Sequence, residues 1–303
     1  MLNKIKENFF KNFLTQNNNL FNYQIGPHTI KLPGNHALKN YQEVFKRYDI
    51  ALGEITKIIN NKYPDLTVID IGANIGDSAA LISKYRKIPT LCIEGNENFL
   101  PTLKENAKTI GTHIFIEECF VGKDNTILDI NKIETKRGTA NINKAIKNNK
   151  LHDTVSDIAM QSLETILNKY TNFRNSKLIK IDTDGYDFEI IKNSQEIINQ
   201  LKPVIFFEYD PSMAQNGEQE SINTINSLVN SGYKQFIIYD NFGNYLLSLD
   251  NKNISNFVDL NSYLRSNKKY KQIVYYFDIC AFHENDLDLF EKVKEHEINL
   301  TIL

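Results

Sequence analysis

Two hydrophobic periods alternate along most of this 303-residue chain and predict its secondary structure. Short runs rich in Ile, Val, Leu and Phe predict buried strands over 66–71, 89–94, 113–121, 177–181, 203–209, 233–239 and 273–282. Apolar residues at helical spacing predict helices over 75–85, 99–109, 162–170, 222–229, 257–264 and 287–293. Strands that alternate with helices in this way indicate an α/β fold with a mostly parallel sheet.

The region before the first of these strands has a different pattern, which predicts a helical and β-hairpin cap over 1–63 ahead of a sheet domain over 64–303. Apolar residues recur at helical spacing over 2–14. We favour a helix that packs on its own domain over a membrane-surface or dimerisation helix. Peripheral membrane association and a homo-oligomer are therefore kept as alternatives.

Two short strands are predicted on either side of Gly26 and Pro27, because these residues form tight turns. A second amphipathic helix is predicted over 40–63. His28 and His36 fall in loops of this cap, where surface positions are favoured over catalytic ones. They are kept as weak candidates, since a cap would lie over the site.

Composition excludes several classes of protein. A net charge of -2 and a sequence pI near 6.3 argue against a nucleic-acid partner, which requires a concentrated basic face. The three cysteines, Cys92, Cys119 and Cys280, lack metal-ligand spacing and are interpreted as reduced core residues of a cytoplasmic protein. The sequence shows no apolar leader and no segment long enough to span a bilayer.

The first candidate site follows the strand over 66–71, where an acid precedes two glycines spaced four apart. Asp70, Gly72, Asn74, Gly76 and Asp77 are predicted to bind a cofactor at this strand–turn–helix junction. A diphosphate is disfavoured, because Asn and Asp stand where a dinucleotide fold has its second and third glycines, and Asp70 would repel phosphate. A ligand with an ammonium and a sulfonium group, S-adenosylmethionine, suits these groups better.

The next two predicted strands supply the remaining cofactor candidates. Glu94 lies 18 residues beyond the second glycine of the turn, near the interval at which nucleotide folds place a ribose-binding acid. Asn96, two residues further along the chain, is also predicted to contact the cofactor. Glu118, Cys119 and Phe120 are predicted to flank the adenine, although alternation does not decide which of them points inward.

A second group of acids follows later strands. Asp182, Asp184 and Glu208 stand at predicted strand ends, and the carboxyl ends of parallel strands meet at one edge of a sheet. We predict Asp182 as the base or acceptor-orienting group, with Asp184 and Glu208 next, and count Asp182 among the cofactor contacts too. The polar, glycine-containing stretch 136–141 is interpreted as a lid or substrate loop.

At these residues the chain resembles the FkbM family of S-adenosylmethionine-dependent methyltransferases. The resemblance covers roughly 70–210 and rests on an Asp-x-Gly-Ala-Asn-x-Gly signature over 70–76, on Glu94, on Ile181-Asp182-x-acid-Gly, and on the strand that ends at Glu208. It implies a class I methyltransferase (Rossmann-like) fold with a seven-stranded sheet. It also implies O-methylation, commonly of a sugar hydroxyl in a glycan, antibiotic or surface polysaccharide.

Two differences qualify the resemblance. The family usually has Glu where this chain has the shorter Asp184. The Asn-Pro-Pro-aromatic motif of many amine-modifying methyltransferases is absent, and Glu208 stands in that region, which suits accepting a hydroxyl proton. The predicted acceptor is a sugar or glycan, including an activated sugar.

Alternatives remain at this stage. Asp182 and Asp184 could cap the following helix, or could bind Mg²⁺ together with Glu208, although no metal site is the favoured prediction. The protein could act on RNA or protein instead of a sugar. It could also be a non-catalytic subunit that only holds the cofactor.

Overall fold

The computed structural model describes residues 19–136, 138–147, 156–214 and 216–302. The helix predicted over 2–14 and Arg137 of the predicted lid lie outside these residues. Of the helices in the described ranges, none combines the length and the apolar character that crossing a bilayer requires.

The strands, in chain order, are β1 (Leu20–Ile25), β2 (His28–Pro33), β3 (Val68–Ile71), β4 (Thr90–Ile93), β5 (Ile114–Glu117), β6 (Ile127–Asp129), β7 (Glu134–Lys136), β8 (Thr139–Asn141), β9 (Asp157–Ala159), β10 (Leu178–Ile181), β11 (Val204–Tyr209), β12 (Tyr233–Asp240), β13 (Tyr245–Asp250) and β14 (Phe277–His283). The α-helices are α1 (Leu38–Val44), α2 (Ile50–Lys62), α3 (Asp77–Ile82), α4 (Leu100–Ile110), α5 (Leu163–Lys169), α6 (Asp187–Asn193), α7 (Gln195–Leu201), α8 (Gly217–Asn230), α9 (Asn256–Lys269) and α10 (Leu287–Ile302).

An eight-stranded sheet forms the centre of the molecule in the order β13-β12-β14-β11-β10-β3-β4-β5. Strands β5, β4, β3, β10 and β11 are parallel, and β14 runs antiparallel between β11 and β12. This arrangement confirms the predicted class I methyltransferase sheet.

The strand count differs from the seven predicted, because β13 pairs with β12 as an extra antiparallel edge strand. Its sequence, Tyr-Leu-Leu-Ser-Leu-Asp, places two leucines side by side and hides the alternation of a half-exposed strand.

Two further predictions are corrected. The helix predicted over 40–63 is divided into α1 and α2, because the chain turns between them and Asp49 adopts a left-handed conformation with φ 60°. The strand predicted over 113–121 ends at Glu117, because the chain then leaves the sheet and the main chain of Gln161 bonds that of Phe120 and Gly122. Glu118, Cys119 and Phe120 therefore follow a strand instead of forming its end.

Alternation along the strands sorts the site residues onto one face of the sheet. Lys180 of β10 lies in register with Asp70 of β3, and Glu208 of β11 lies in register with Asp278 of β14. These four polar residues share their face with apolar residues such as Val68, whereas the neighbouring positions pack into the core of the opposite face. On this face of the sheet, apolar residues therefore give way to charged residues towards the carboxyl ends of the parallel strands.

Candidate active site

The turn after β3 is closely packed against the turn after β10. Gly72 has φ +77°, and a Cβ atom at this position would lie 1.8 Å from the carbonyl oxygen of Asp182. The turns that follow β3 and β10 therefore pack directly against each other. Glycine is required at residue 72 both for this contact and for its backbone conformation.

A buried lysine, Lys180, links the turns that follow β3 and β10. The Nζ atom of Lys180 lies 3.3 Å from carboxylate oxygens of both Asp70 and Asp182. It also donates a hydrogen bond to the carbonyl oxygen of Gly72 at 3.1 Å. Burial alone would lower the pKa of Lys180, but the charges of Asp182 and Asp70 outweigh it and hold the pKa well above its usual range.

Asp70 is buried beneath the turn that follows β3. Its side chain is fully buried, accepts a hydrogen bond from Ser78 Oγ and pairs with Lys180. Sequence reasoning missed Lys180, although a lysine inside the apolar run Leu-Ile-Lys-Ile is a visible signal of a buried charge that needs a partner.

The smaller of two adjoining cavities lies beyond β3 and β4. Apolar walls from Ile93, Cys119, Phe120 and Ile142 enclose it, and Glu94 provides a carboxylate. Burial raises the pKa of the Cys119 thiol to about 12, so this side chain is a protonated, weakly polar part of the wall. An apolar space beside a carboxylate suits an adenosyl group.

Glu94 is held by the main chain. One of its carboxylate oxygens accepts a hydrogen bond from the Asn74 backbone nitrogen at 2.9 Å, and the other accepts one from that of Asn96 at 2.7 Å. Burial raises the pKa of Glu94, while these backbone donors favour its charged form. The carboxylate is thus fixed in place, with lone pairs left to accept further hydrogen bonds.

The remaining predicted cofactor residues are Gly76, Asp77, Asn96 and Glu118, and the structure places them differently. Asp77, at the start of α3, lines the larger cavity described below. Gly76, in the left-handed conformation with φ 86°, precedes that helix, and Asn96 is buried with its side-chain amide donating to Thr135. Glu118 points away, because it forms a surface ion pair with Lys104 at 2.7 Å.

The larger cavity has a volume of about 270 Å³ and borders the smaller one. Gly72, Asn74, Asp182 and Asp184 line both cavities and form the boundary between them. Further acids line only the larger one, namely Asp49, Asp77, Glu208, Asp210 and Asp278. Aromatic rings complete its wall, namely Tyr41, Tyr48, Phe206, Tyr239, Tyr275 and Tyr276.

The carboxyl groups of the larger cavity are short of positive charge. Burial, together with the charge of Asp182, raises the pKa of Asp184 to about 7 despite a hydrogen bond from the Ala140 backbone nitrogen. Burial and neighbouring carboxylates also raise the pKa values of Glu208 and Asp278 well above the usual range. Oε2 of Glu208 is buried and has no hydrogen-bond partner among the described residues.

The β7–β8 hairpin, part of the predicted lid, covers the boundary between the cavities. Asn74 donates a side-chain hydrogen bond to the carbonyl oxygen of Gly138. Ala140 donates to the carboxylate of Asp184, and the side chain of Asn141 donates to the Asp184 carbonyl oxygen, both at 2.6 Å. The hairpin is therefore fastened to both turns.

Two alternatives from the sequence can be compared with the structure. The helix-capping role considered for Asp182 and Asp184 is not observed, because α6 follows Tyr186 and has no side-chain cap hydrogen bond. The carboxylate of Asp187 instead accepts hydrogen bonds from the backbone nitrogens of Thr183 and Gly185 and holds the turn before the helix. Within the described ranges, no group of three or more His, Cys, Asp or Glu side chains is placed to hold a metal ion.

These features can now be compared with known proteins. The family model described as the methyltransferase FkbM domain matches residues 70–269. The chain belongs to the FkbM methyltransferase family. The predicted family is therefore confirmed, and the matched region is a methyltransferase domain that uses S-adenosylmethionine as its methyl donor. No curated protein matches the chain.

Solved structures resemble this FkbM-family chain at low identity. Methyltransferase FkbM from Methylobacillus flagellatus is 16% identical, with a TM-score of 0.38, and the match covers 56% of this chain and 39% of that one. Precorrin-6y C5,15-methyltransferase from Geobacter metallireducens is 12% identical over 72% and 80% of the two chains, with a TM-score of 0.36. Fibrillarin from Aeropyrum pernix, with natively bound S-adenosylmethionine, is 9% identical over 56% and 57%, with a TM-score of 0.32.

The two cavities differ in their relation to the FkbM domain. The residues that line the smaller cavity all lie within the matched range 70–269. The larger cavity also takes Tyr48 and Asp49 from before this range and Tyr276 and Asp278 from after it. Segments outside the family domain therefore form part of the larger cavity.

Proposed function

We propose that this protein is an S-adenosylmethionine-dependent O-methyltransferase that methylates a sugar hydroxyl of a glycan, a surface polysaccharide or an activated sugar. One observation carries the proposal. Two carboxylates, those of Asp182 and Asp184, stand at the boundary between an apolar cavity suited to an adenosyl group and a cavity lined by aromatic rings and acids.

The cofactor fits the smaller cavity. Glu94 is proposed to accept hydrogen bonds from the ribose hydroxyls, and Cys119 and Phe120 to pack against the adenine. The turn at Gly72 and Asn74 leads from this cavity to the larger one, so the methionyl part would extend along it towards Asp77. When bound, S-adenosylmethionine supplies a methyl group on a positively charged sulfur, which is a good leaving group.

The chain itself must orient the acceptor and remove its proton. A neutral hydroxyl is a weak nucleophile, so a carboxylate that takes its proton as the new O–C bond forms accelerates transfer. We assign this role to Asp182, because its side chain is 53% exposed and ion-paired with Lys180, which fixes its position at the boundary. Asp184 also lies at this boundary, and Glu208 lines the larger cavity only.

The lining of the larger cavity supports a sugar as acceptor. Tyrosine rings offer flat apolar faces for the C–H surface of a sugar ring, and carboxylates accept hydrogen bonds from its hydroxyls. The same acids would repel a phosphate backbone, which disfavours RNA among the alternatives. A protein acceptor predicts label in the peptides of the assay below, and a non-catalytic subunit predicts cofactor binding without transfer.

The test uses purified full-length protein with methyl-labelled S-adenosylmethionine and a panel of glycans, nucleotide-activated sugars, RNA and peptides. We expect label in a sugar, on an oxygen, as located by mass spectrometry. Asp182→Asn should lower kcat about 10²–10⁴-fold, measured at saturating cofactor because Asp182 also lines the smaller cavity. Glu196→Gln on the exposed surface of α7 should behave as the parent. Near-normal turnover by Asp182→Asn would reject the assigned base.

Further proposals concern the cellular location of the enzyme and its association with other molecules. We propose a cytoplasmic location, since Cys92, Cys119 and Cys280 are buried and free, as expected in a reducing compartment. A homo-oligomer and peripheral contact with a membrane stay predictions.

A further inference from the structure

The floor of the larger cavity contains an unfavourable pair of residues. Glu208 and Asp278 lie directly opposite each other on the antiparallel strands β11 and β14, and both line the cavity. Like charges placed opposite each other destabilise a sheet. Residues that break such a rule without compensation inside the protein usually serve a function.

Compensation within the cavity is limited. Among the described residues, Lys180 is the one lysine or arginine side chain that lines it, and it is already shared between Asp70 and Asp182. S-adenosylmethionine would add a net single positive charge, since its sulfonium and ammonium are partly offset by its own carboxylate. In the part of the chain that the structure describes, no ion pair is formed by Glu208, Asp278 or Asp49, and the charge of Lys180 acts on Asp278 and Asp49 only from a distance.

The walls around this pair also suit a positive charge. Tyr48 and Tyr276 also line the cavity. Burial raises the pKa of Tyr276 well above its usual range, and the nearby charges of Asp278 and Glu208 add to this effect. The rings of Tyr41 and Tyr48 stack with centroids 4.9 Å apart. Aromatic faces attract cations, and they do so more strongly where water is excluded.

We propose that the acceptor carries a protonated amine next to its methylated hydroxyl, as an amino sugar does, and that Glu208, Asp278 and Asp49 bind this ammonium group. This inference rests on the proposed function, because it names the class of sugar for the same cavity. An organic ammonium fits better than a bare metal ion, since no described group of acids has a metal-binding arrangement.

Charge pairing at the amine also has a consequence for the reaction. An ammonium group held by carboxylates keeps its proton and has no lone pair, so it does not compete for the methyl group. The hydroxyl proton passes to Asp182, which lies at the boundary between the two cavities.

The first experiment measures binding without turnover. The full-length protein is loaded with S-adenosylhomocysteine and titrated calorimetrically with methyl glycosides of glucosamine, galactosamine and mannosamine, and with their N-acetyl and parent-hexose counterparts. We expect at least one amine to bind about tenfold or more tightly than both of its neutral counterparts, a difference of about 1.4 kcal/mol. Equal or tighter binding of the neutral sugars in all three series, or no binding of any amine, would overturn the inference.

The second experiment uses Asp278→Asn, which keeps the shape of the side chain and removes its charge. We expect the preference for the amine to fall about tenfold, while the Tm of the sugar-free protein rises because a buried carboxyl close to the like charges of Asp182 and Asp49 is removed. Glu196→Gln, an exposed acid on α7, should change neither quantity. An unchanged amine preference in Asp278→Asn would contradict the assignment, and a purely structural role predicts a lower Tm.

Transfer assays separate this inference from the proposed function. Methylation of hydroxyls on neutral sugars, with no preference for amines, would retain the O-methyltransferase and reject the bound ammonium. Amine binding followed by methylation at nitrogen would retain the cation site and reject O-methylation.

Discussion

At the scale of single residues, Lys180 connects the parts of the site. It is buried, pairs with Asp70 and Asp182, and holds the carbonyl oxygen of Gly72. A buried lysine is costly unless its charge is matched, and here the matching groups come from the two strands on which the turns depend. The position of Asp182 is therefore linked to the shape of the glycine turn.

Lys180→Met should be strongly destabilising, because it leaves Asp70 buried without its counter-charge. Breaking a buried ion pair typically costs about 3–5 kcal/mol, which urea unfolding would measure as a lower midpoint. The double variant Asp70→Asn, Lys180→Met should lose clearly less stability than Lys180→Met alone. Equal losses in the two variants would show that the pair is not the source of the effect.

Glu94→Gln tests the proposed ribose contact. The substitution leaves one acceptor oxygen for the backbone donors of Asn74 and Asn96, and it removes the charge offered to the ribose. A hydrogen bond to a charged group is worth about 1.5–3 kcal/mol, so the Kd for S-adenosylhomocysteine should rise about 10–100-fold.

The matched control for this substitution is a ligand that lacks one ribose hydroxyl. If Glu94 binds the ribose, the deoxy ligand should lose less affinity in Glu94→Gln than in the parent, because the two changes remove the same contact. Fully additive losses would mean that Glu94 acts only by holding the turn.

At the scale of elements, the β7–β8 hairpin joins the two halves of the site. It binds Asn74 of the first turn and Asp184 of the second, so its position affects both cavities. The hairpin also approaches the segment between β2 and α1, since a Cβ atom on Gly138 would lie 2.5 Å from Nε2 of His36. His36, predicted in a surface loop, thus lines the larger cavity and supports this hairpin.

Gly138→Ala should displace the hairpin from His36 and weaken cofactor binding, with an expected rise in Kd of about fivefold, or roughly 1 kcal/mol. Gly111→Ala is the matched control, because Gly111 also has a positive φ and a histidine beside its missing Cβ atom, but lies at the end of α4. The control should lower Tm without changing Kd. Equal Kd values for parent and Gly138→Ala would exclude a role for the hairpin in cofactor binding.

At the scale of the whole molecule, the concentration of acids in one cavity links stability to pH. The pKa of Asp184 is raised from 3.8 to about 7, so the folded chain keeps a proton that the unfolded chain loses at lower pH. The stability contributed by this carboxyl is complete below about pH 4 and is lost as the pH rises through about 7.

Asp184→Asn removes this titration. Between pH 5 and pH 7.5, the Tm of the parent should fall relative to that of Asp184→Asn by about 2 °C or more, since each kcal/mol shifts Tm by about 2–4 °C. Asp65→Asn, an exposed acid just before β3, should keep the profile of the parent. A constant difference between the Tm values of parent and Asp184→Asn would contradict the raised pKa.

Sequence patterns predicted the sheet and the turns well, because buried strands and glycine turns depend on local features. Asp182, Asp184 and Glu208 line one cavity, because the carboxyl ends of parallel strands meet at one edge of the sheet, while their roles stay predictions. Asp49 and Asp278 were missed, because they enter the cavity from distant parts of the chain. Their proximity depends on the break after α1 and on the antiparallel pairing of β14, which no local pattern encodes.

The division of the cavities between the family domain and its flanks affects how such enzymes diverge. The domain of residues 70–269 contains the lining of the smaller cavity, while the tyrosines and acids at 41–49 and 275–278 belong to its flanks. We therefore expect substitutions at 41–49 and 275–278 to change which acceptor is used while leaving methyl-donor binding intact. Acceptor choice is then shared between these two segments and the domain, which contributes Asp182, Asp184 and Glu208 to the same cavity.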